Sequence, residues 1–199
     1  ALSQQDLKRM IAYSSVSHMG FVLLGIASMT TEGLSGAVMQ MVSHGFLSTM
    51  LFFLAGVIYN RVHDRGINHF RGLTNIMPKY AAFVIIAFFA SLGLPGFSAF
   101  IGEAFSLTGA FKSASVNGNL PHWMAICGSV GILLSAAYFL WTLQRMFFGT
   151  LNLKGGSIWK TALTDLNFRE KLTLMPLAFI ALILGLMPSL VFDKINESV

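Results

Sequence analysis

The sequence predicts an all-α membrane protein with five transmembrane helices, the third of them discontinuous. Three observations lead to this prediction: a composition that is 55% hydrophobic and only 11% charged, five long apolar segments, and the break Gly93-Leu94-Pro95-Gly96 inside the third segment. Soluble domains carry about 25% charged residues, and one spanning helix needs about 20 apolar residues. The composition therefore favours a bundle of membrane helices over a soluble domain.

The apolar segments lie at about residues 10–30, 34–60, 80–111, 123–148 and 172–192. Four of them fit single, tilted helices. The third is too long, because as one straight helix it would span about 48 Å at ~1.5 Å per residue, against a hydrocarbon core of about 30 Å. The Gly-Leu-Pro-Gly break predicts two half-helices joined by a loop at membrane depth, where protein or water must satisfy the backbone.

The positive charges predict the orientation. Of the 13 Lys and Arg residues, all but Lys112 and Lys194 fall before the first segment, between the second and third, or between the fourth and fifth. Because positive loops stay inside, the N-terminal end is expected in the cytoplasm or matrix and the tail Asp193–Val199 outside. The net charge of +5 lies in these short loops, so we predict no nucleic-acid partner. The loop Leu151–Arg169 is long enough to include a surface helix.

The chain begins Ala-Leu-Ser without Met or a signal peptide. We therefore expect residues 1–199 to be a single transmembrane unit, the C-terminal part of a longer protein. The lone Cys127 lies in an apolar segment and is predicted to be a packed core residue.

Only three ionisable residues fall well inside the apolar segments: His18, His44 and Glu103. At ~1.5 Å per residue, they lie about 12, 15 and 13 Å from the nearer ends of their predicted helices, so all three reach similar depths. A charged group at mid-bilayer costs about 2.5–3.5 kcal/mol on insertion scales. Such residues are by default candidates for ion or proton movement, and a carboxyl beside a broken helix is the strongest of them.

Polar neighbours extend this set. Ser14 precedes His18 by four residues, so the two lie on one face of the first predicted helix. Gln40 precedes His44 by four residues and lies with it on one face of the second. Tyr138 lies in a polar stripe of the fourth segment and could add a hydroxyl to a proton path. The alternative is that these side chains only join neighbouring helices by hydrogen bonds.

Cofactor motifs are not recognisable. The run from His63 to His69, HDRGINH, resembles a metal-binding spacing only loosely, and Gly155-Gly156 lacks the Lys-Ser/Thr of a phosphate loop. We predict no metal and no cofactor site in this chain.

Four sequence runs together resemble the antiporter-like, proton-translocating subunits of complex I, NADH-quinone oxidoreductase. They are Gln5–Arg9 with Ile11–Gly20 (QDLKR and IAYSSVSHMG), Gln40–Gly45 (QMVSHG), Leu94–Glu103 (LPGFSAFIGE) and Gln144–Gly149 (QRMFFG). The resemblance implies that the chain is the last five helices of a fourteen-helix subunit, and that its third segment is the broken twelfth helix.

The resemblance also implies site roles. Glu103 corresponds to the exit-side proton residue, and a Glu there resembles the M, or chain 4, type more than the N, L or Mrp types. His18 and His44 correspond to central-axis histidines, and Asp6 and Lys8 correspond to positions near the cytoplasmic end. Gly93, Pro95 and Gly96 form the expected hinge of the broken helix.

The function implied is proton translocation coupled to quinone reduction in a bacterial inner, mitochondrial inner or thylakoid membrane. Flavin, iron–sulfur clusters and quinone are expected in partner subunits, and the partners are the lipid bilayer, other membrane-arm subunits and the missing N-terminal part. An Mrp-type cation/proton antiporter or a membrane-bound hydrogenase is one alternative. A structural membrane scaffold with inert polar residues is the other.

Overall fold

The computed structural model describes residues 1–116 and 118–196, and the predicted all-α class is confirmed. The helices are α1 (Leu7–Ser28), α2 (Thr31–Val62), α3 (Pro78–Ser91), α4 (Ser98–Val116), α5 (His122–Met146), α6 (Gly156–Ala162), α7 (Phe168–Leu186) and α8 (Ser189–Asn196). Two short antiparallel strands, β1 (Phe70–Arg71) and β2 (Asn152–Leu153), join distant loops.

Three helices in the described part of the chain, α1, α2 and α5, are both long and apolar enough to cross a membrane. Helix α3 is apolar but has only 14 residues, and α7 begins with a charged first turn. The bundle is therefore built around three candidate spans with shorter apolar helices beside them.

Helices α1, α2 and α4 approach one another closely because glycines lie where they meet. A Cβ added to Gly102 of α4 would lie 2.8 Å from the backbone N and Cα of Gln40 in α2. Gly36 of α2 meets the backbone of α4 at Ser106 in the same way, and Gly25 of α1 lies against the carbonyl of Gly33. Small residues allow such contact between membrane helices, so α4 is held deep against α1 and α2.

The chain between α3 and α4 is not helical. Gly93 has φ +76° and Gly96 has φ +102°, a region that costs other residues roughly 1–2 kcal/mol, and Pro95 lies between them. The helix therefore ends at Ser91 and a new one begins at Ser98, on either side of the predicted Gly-Leu-Pro-Gly break. Gly185 of α7 contacts the backbone of this break.

The basic loops gather at one end of the bundle. The backbone N–H of Leu7 donates to the carbonyl of Arg65 (2.9 Å), β1 pairs with β2, and Arg61 at the end of α2 forms an ion pair with Glu170 of α7 (2.9 Å). The predicted surface helix of the loop Leu151–Arg169 corresponds to α6, seven residues long. Lys112 lies at the opposite end, where it pairs with Glu32.

Two sequence expectations were wrong. The fifth segment was predicted to continue to residue 192, but α7 ends at Leu186 because Met187 precedes Pro188, and a residue before proline avoids the helical region. Cys127 is exposed rather than packed in a core, because this part of α5 faces outward. The last three residues of the predicted outer tail, 197–199, lie outside the described residues.

Candidate functional site

A buried contact between an imidazole and a carboxyl joins α1 to α4. Glu103 is 2% exposed and His18 is 3% exposed, and His18 Nδ1 lies 3.2 Å from Glu103 Oε1. The packing of α4 against α1 brings these two side chains together, although they are 85 residues apart in the sequence. An imidazole and a carboxyl in this contact can share one proton.

Gln40 of α2 is the third member of this cluster. Its Nε2 lies 3.4 Å from the same Nδ1 of His18. Nδ1 holds either one proton or one lone pair, so two proton positions fit the geometry. With the proton on Nδ1, His18 donates to the Glu103 carboxylate; with the proton on Oε1, Glu103 donates to Nδ1.

A small cavity connects the pair to His44. The ring centroids of His18 and His44 are 5.6 Å apart, and both rings border a cavity of about 10 Å³ that is also lined by Ser14, Gln40 and Ser91. This volume is close to the minimum needed for one water molecule. Three buried polar atoms of these lining residues have no hydrogen-bond partner within the described structure: His18 Nε2, Gln40 Oε1 and Ser91 Oγ.

The broken segment contacts the carboxyl directly. A Cβ added to Gly93 would lie 2.7 Å from Glu103 Oε2, which is closer than real Cβ atoms come. Glycine therefore permits the positive φ, and any larger residue at this position would displace the carboxyl. Ser43 Oγ and Ser98 Oγ, 2.7 Å apart, tie α2 to the first residue of α4 beside the break.

Tyr138 and Ser14 lie at the edge of the site. The Tyr138 hydroxyl is buried near the hydroxyls of Ser14 and Ser135 and within electrostatic range of Glu103. Within the described residues it forms no hydrogen bond of good geometry. Ser14 Oγ donates to the carbonyl of Ile11 (2.7 Å).

Asp6 and Lys8 are not brought into this cluster. Asp6 caps the start of α1 by accepting from the backbone N–H of Arg9 (3.0 Å), and its other oxygen lies 3.4 Å from Arg65 Nε. Lys8 is exposed in the first turn. These two residues lie at the basic end of the bundle.

Sequence reasoning missed several contacts of the site. Ser91, the Ser43–Ser98 hydrogen bond and the contact of Gly93 with Glu103 were not predicted. Serines are frequent in apolar helices and give no signal of their own. The order of the residues Gly93, Ser98 and Glu103 around one break is the only sequence signal that could have indicated the contact.

The chain matches a known protein family over more than half of its length. Residues 1–135 match the family described as "NADH:quinone oxidoreductase/Mrp antiporter, TM", and the whole chain is 46% identical to NADH-quinone oxidoreductase subunit M of Rhodobacter capsulatus, of which it covers 37%. The chain belongs to this family. The resemblance to the antiporter-like subunits of complex I, predicted from the four motifs, is confirmed.

Two further proteins are similar to this chain over almost its whole length. The F(420)H(2) dehydrogenase subunit M of Methanosarcina mazei is 42% identical over 100% of the chain and 38% of its own length. Respiratory complex I from Thermus thermophilus with bound NADH includes a chain that is 32% identical, with a TM-score of 0.81, over 94% of this chain and 37% of that one. The chain thus spans less than two fifths of the length of each of these three relatives.

Proposed function

We propose that the chain is the C-terminal part of a proton-translocating membrane-arm subunit of a complex I-type NADH-quinone oxidoreductase. The observation that supports this most strongly is the buried contact between Glu103 and His18 beside a helix break. Removing two charges from water costs several kcal/mol each unless they are well paired. A scaffold can join its helices with neutral polar side chains, whereas a proton carrier requires groups that exchange a proton.

The proton path that we propose runs through three side chains. His18 takes up a proton at Nε2, an atom without a partner in the described structure, from the side of the cavity and His44. The imidazole then gives its Nδ1 proton to Glu103 Oε1, with which it is in hydrogen-bond contact. Ser14, Gln40 and Tyr138 would orient water and the imidazole along this path, and Asp6 and Lys8 would face the proton supply at the basic end.

The membrane arrangement belongs to the same proposal. We infer five spans, in which α3 and α4 together form one discontinuous span with Gly93, Pro95 and Gly96 as its hinge, and residues 1–199 form one unit. The basic end faces the cytoplasm or matrix and the C-terminus faces outside. In a Cys127→Ser background, a membrane-impermeant maleimide should label Ser115→Cys from outside and Ser157→Cys only after permeabilisation. Labelling of both from one side would disprove the orientation.

Partners would supply the redox chemistry. We expect flavin, iron–sulfur clusters and quinone in other subunits, and contacts with membrane-arm subunits, lipid and the N-terminal part of this subunit. The electron donor is not determined by this chain, because a subunit named for F(420)H(2) dehydrogenase is nearly as similar to it as one named for NADH-quinone oxidoreductase. The inner membrane of bacteria or mitochondria, or the thylakoid, is the expected location.

The experiment substitutes Glu103→Gln in the full-length subunit of the intact complex, with Glu32→Gln as the control at the exposed end of α2. We expect Glu103→Gln to lower the number of protons moved per electron pair, with assembly and quinone reduction retained. An unchanged proton ratio in a correctly assembled complex would favour the scaffold. Purification without flavin or iron–sulfur subunits would instead favour an Mrp-type antiporter.

A further inference from the structure

A second cavity lies at the basic end of the bundle, where β1, β2 and the end of α5 meet. Its volume is about 650 Å³. Four basic side chains line it: His69, Arg71, Arg145 and Lys154. Among the described residues, no Asp or Glu lines this cavity, so its walls have a strong positive charge.

One guanidinium is held in place at the cavity wall. Arg145 Nη1 donates to Asn68 Oδ1 (2.7 Å), and its Cζ lies 4.2 Å from the centre of the Trp141 ring. A cation over an aromatic face is stabilised by the ring's electrons. The Arg145 side chain is therefore ordered in advance, which lowers the entropy cost of binding an anion.

Lys154 is oriented by a hydrogen-bonded chain. The Asp64 carboxylate accepts from His69 Nδ1 (2.9 Å), which leaves His69 Nε2 as an acceptor for the Lys154 ammonium group at 3.3 Å. Burial alone would raise the pKa of Asp64, but the backbone N–H of Gly66 and the His69 ring outweigh it and lower that pKa. Asp64 therefore stays ionised on the side of the His69 ring away from Lys154.

Arg71 supplies a third cation to the cavity, after Arg145 and Lys154. It lies in β1, opposite Asn152 of β2, and its side chain packs on the turn at Gly149, whose φ is +97°. Three like charges around one space repel each other, so a phosphate group whose oxygens contact all of them would relieve this repulsion. Phosphate groups suit such Arg and Lys clusters.

An apolar surface leads from this cavity along α5. Leu133, Ala137, Leu140 and Gln144 are spaced by three or four residues, lie on one helix face and are all exposed; Leu133 is 71% exposed. Gln144 lines the cavity. At ~1.5 Å per residue the face from Leu133 to Gln144 is about 16 Å long, roughly half of a ~30 Å hydrocarbon core.

We propose that this cavity binds the phosphate head group of an anionic phospholipid whose acyl chains lie along the exposed face of α5. A soluble anion would bind the cations but would make no contact with the apolar face of α5. An acidic protein segment would need apolar residues as well to cover the leucines. The site requires only that α5 spans the membrane, and it is separate from the Glu103–His18 pair.

The test uses the intact, delipidated membrane complex that contains the full-length subunit. Phosphatidylglycerol and phosphatidylcholine are titrated separately, and bound lipid is counted by native mass spectrometry. The double variant Arg71→Gln/Lys154→Gln is compared with Lys160→Gln/Arg169→Gln, which removes two exposed cations at the same end but outside the cavity. Because each cation near a membrane surface contributes roughly a fivefold gain, the first variant should bind phosphatidylglycerol about 30-fold more weakly.

Three results would overturn the proposal. The first is equal loss in both double variants, which would mean a diffuse charge effect. The second is inorganic phosphate displacing phosphatidylglycerol at similar concentration, which would mean a free-phosphate site. The third is a photo-crosslinker at Asn152 that captures protein rather than lipid in native membranes, which would mean an acidic protein partner. Reduced binding confined to Arg71→Gln/Lys154→Gln, with lipid crosslinked at Asn152, would support it.

Discussion

At the scale of single residues, the site depends on which atoms face the Glu103 carboxyl. Oε1 contacts His18, and Oε2 lies against Gly93. The sequence indicated that Glu103, His18 and His44 reach similar depths, but it did not indicate which imidazole is the direct partner. Which imidazole contacts Glu103 depends on how α4 packs between α1 and α2. The hydrophobic periodicity of one segment does not predict which distant segment packs against it.

Gly93 offers a way to move the carboxyl without changing its chemistry. Gly93→Ala should displace Glu103 Oε2, because the new Cβ would lie 2.7 Å from it, and the contact with His18 should lengthen. Gly96→Ala is the matched control: it also has a positive φ, but an added Cβ there meets no atom within 4 Å. Both variants lose roughly 1 kcal/mol or more of stability to backbone strain, measured by thermal unfolding.

Only Gly93→Ala should also lower the proton-to-electron ratio of the assembled complex, measured with a pH-sensitive dye in proteoliposomes. If Gly96→Ala lowers the ratio to the same extent, the effect comes from strain in the break and not from the carboxyl.

At the scale of elements, close helix packing and a loop contact set the geometry around the break. One of the glycines of α4 that face α2 is Gly102, the residue directly before Glu103. A side chain there would push α4 away from the backbone of Gln40, since overpacking in a close interface typically costs 1–3 kcal/mol. The sequence shows the glycines of α4, but it does not show which neighbouring helix they pack against.

Gly102→Ala should therefore destabilise the assembled subunit by about 1–3 kcal/mol, measured as the unfolding midpoint in detergent. Gly45→Ala is the control on α2, because an added Cβ at Gly45 meets no atom within 4 Å. It should be neutral or stabilising by up to about 1 kcal/mol, as for Gly to Ala in any helix interior. Equal destabilisation by both variants would show that α2 and α4 do not meet through Gly102.

The start of α3 is capped from a distant loop. Asp165 accepts from the backbone N–H of Lys79 (3.1 Å) and of Tyr80 (3.0 Å). Burial alone would raise the pKa of Asp165, but the backbone N–H groups of Leu166, Tyr80 and Lys79 outweigh it and lower that pKa. The sequence predicted the third segment to begin at about residue 80, close to the start of α3 at Pro78, but it gave no indication of a capping residue 86 positions away.

Asp165→Ala should speed amide hydrogen exchange at Lys79 and Tyr80, because a lost cap costs about 1 kcal/mol. Asp165→Asn keeps one side-chain oxygen and should give a smaller change. Because the folded-state pKa is lowered, the carboxylate's stabilisation is complete above the ordinary Asp pKa of about 3.9 and is lost as the pH falls through the lower, folded-state value. Exchange at these amides that is unchanged by Asp165→Ala would contradict the capping role.

At the scale of the whole molecule, the bundle separates a basic end from a buried, polar centre. The distribution of Lys and Arg along the sequence predicted which loops would lie together, and the loop contacts agree with it. The pairing of β1 with β2 could not be predicted, because strands of two residues, more than 80 positions apart, give no periodic signal.

Burial was the property that the sequence predicted least well. In a membrane bundle, core-facing and lipid-facing positions are both apolar, so an apolar run does not distinguish them. Cys127 illustrates this: its neighbours are apolar, yet it lies on the outer side of α5. Polar residues were better guides, since Glu103, His18, Gln40 and Ser14 are all buried and close together.

The central claim is that the Glu103 carboxyl changes its protonation during turnover. The most direct measurement is the infrared difference spectrum between resting and turning-over intact complex, recorded for the wild type and for Glu103→Gln. We predict a protonated-carboxyl band in the wild-type spectrum that shifts in D₂O and is missing from the Glu103→Gln spectrum. Identical carboxyl bands in the two spectra, with both complexes assembled and reducing quinone, would contradict the account.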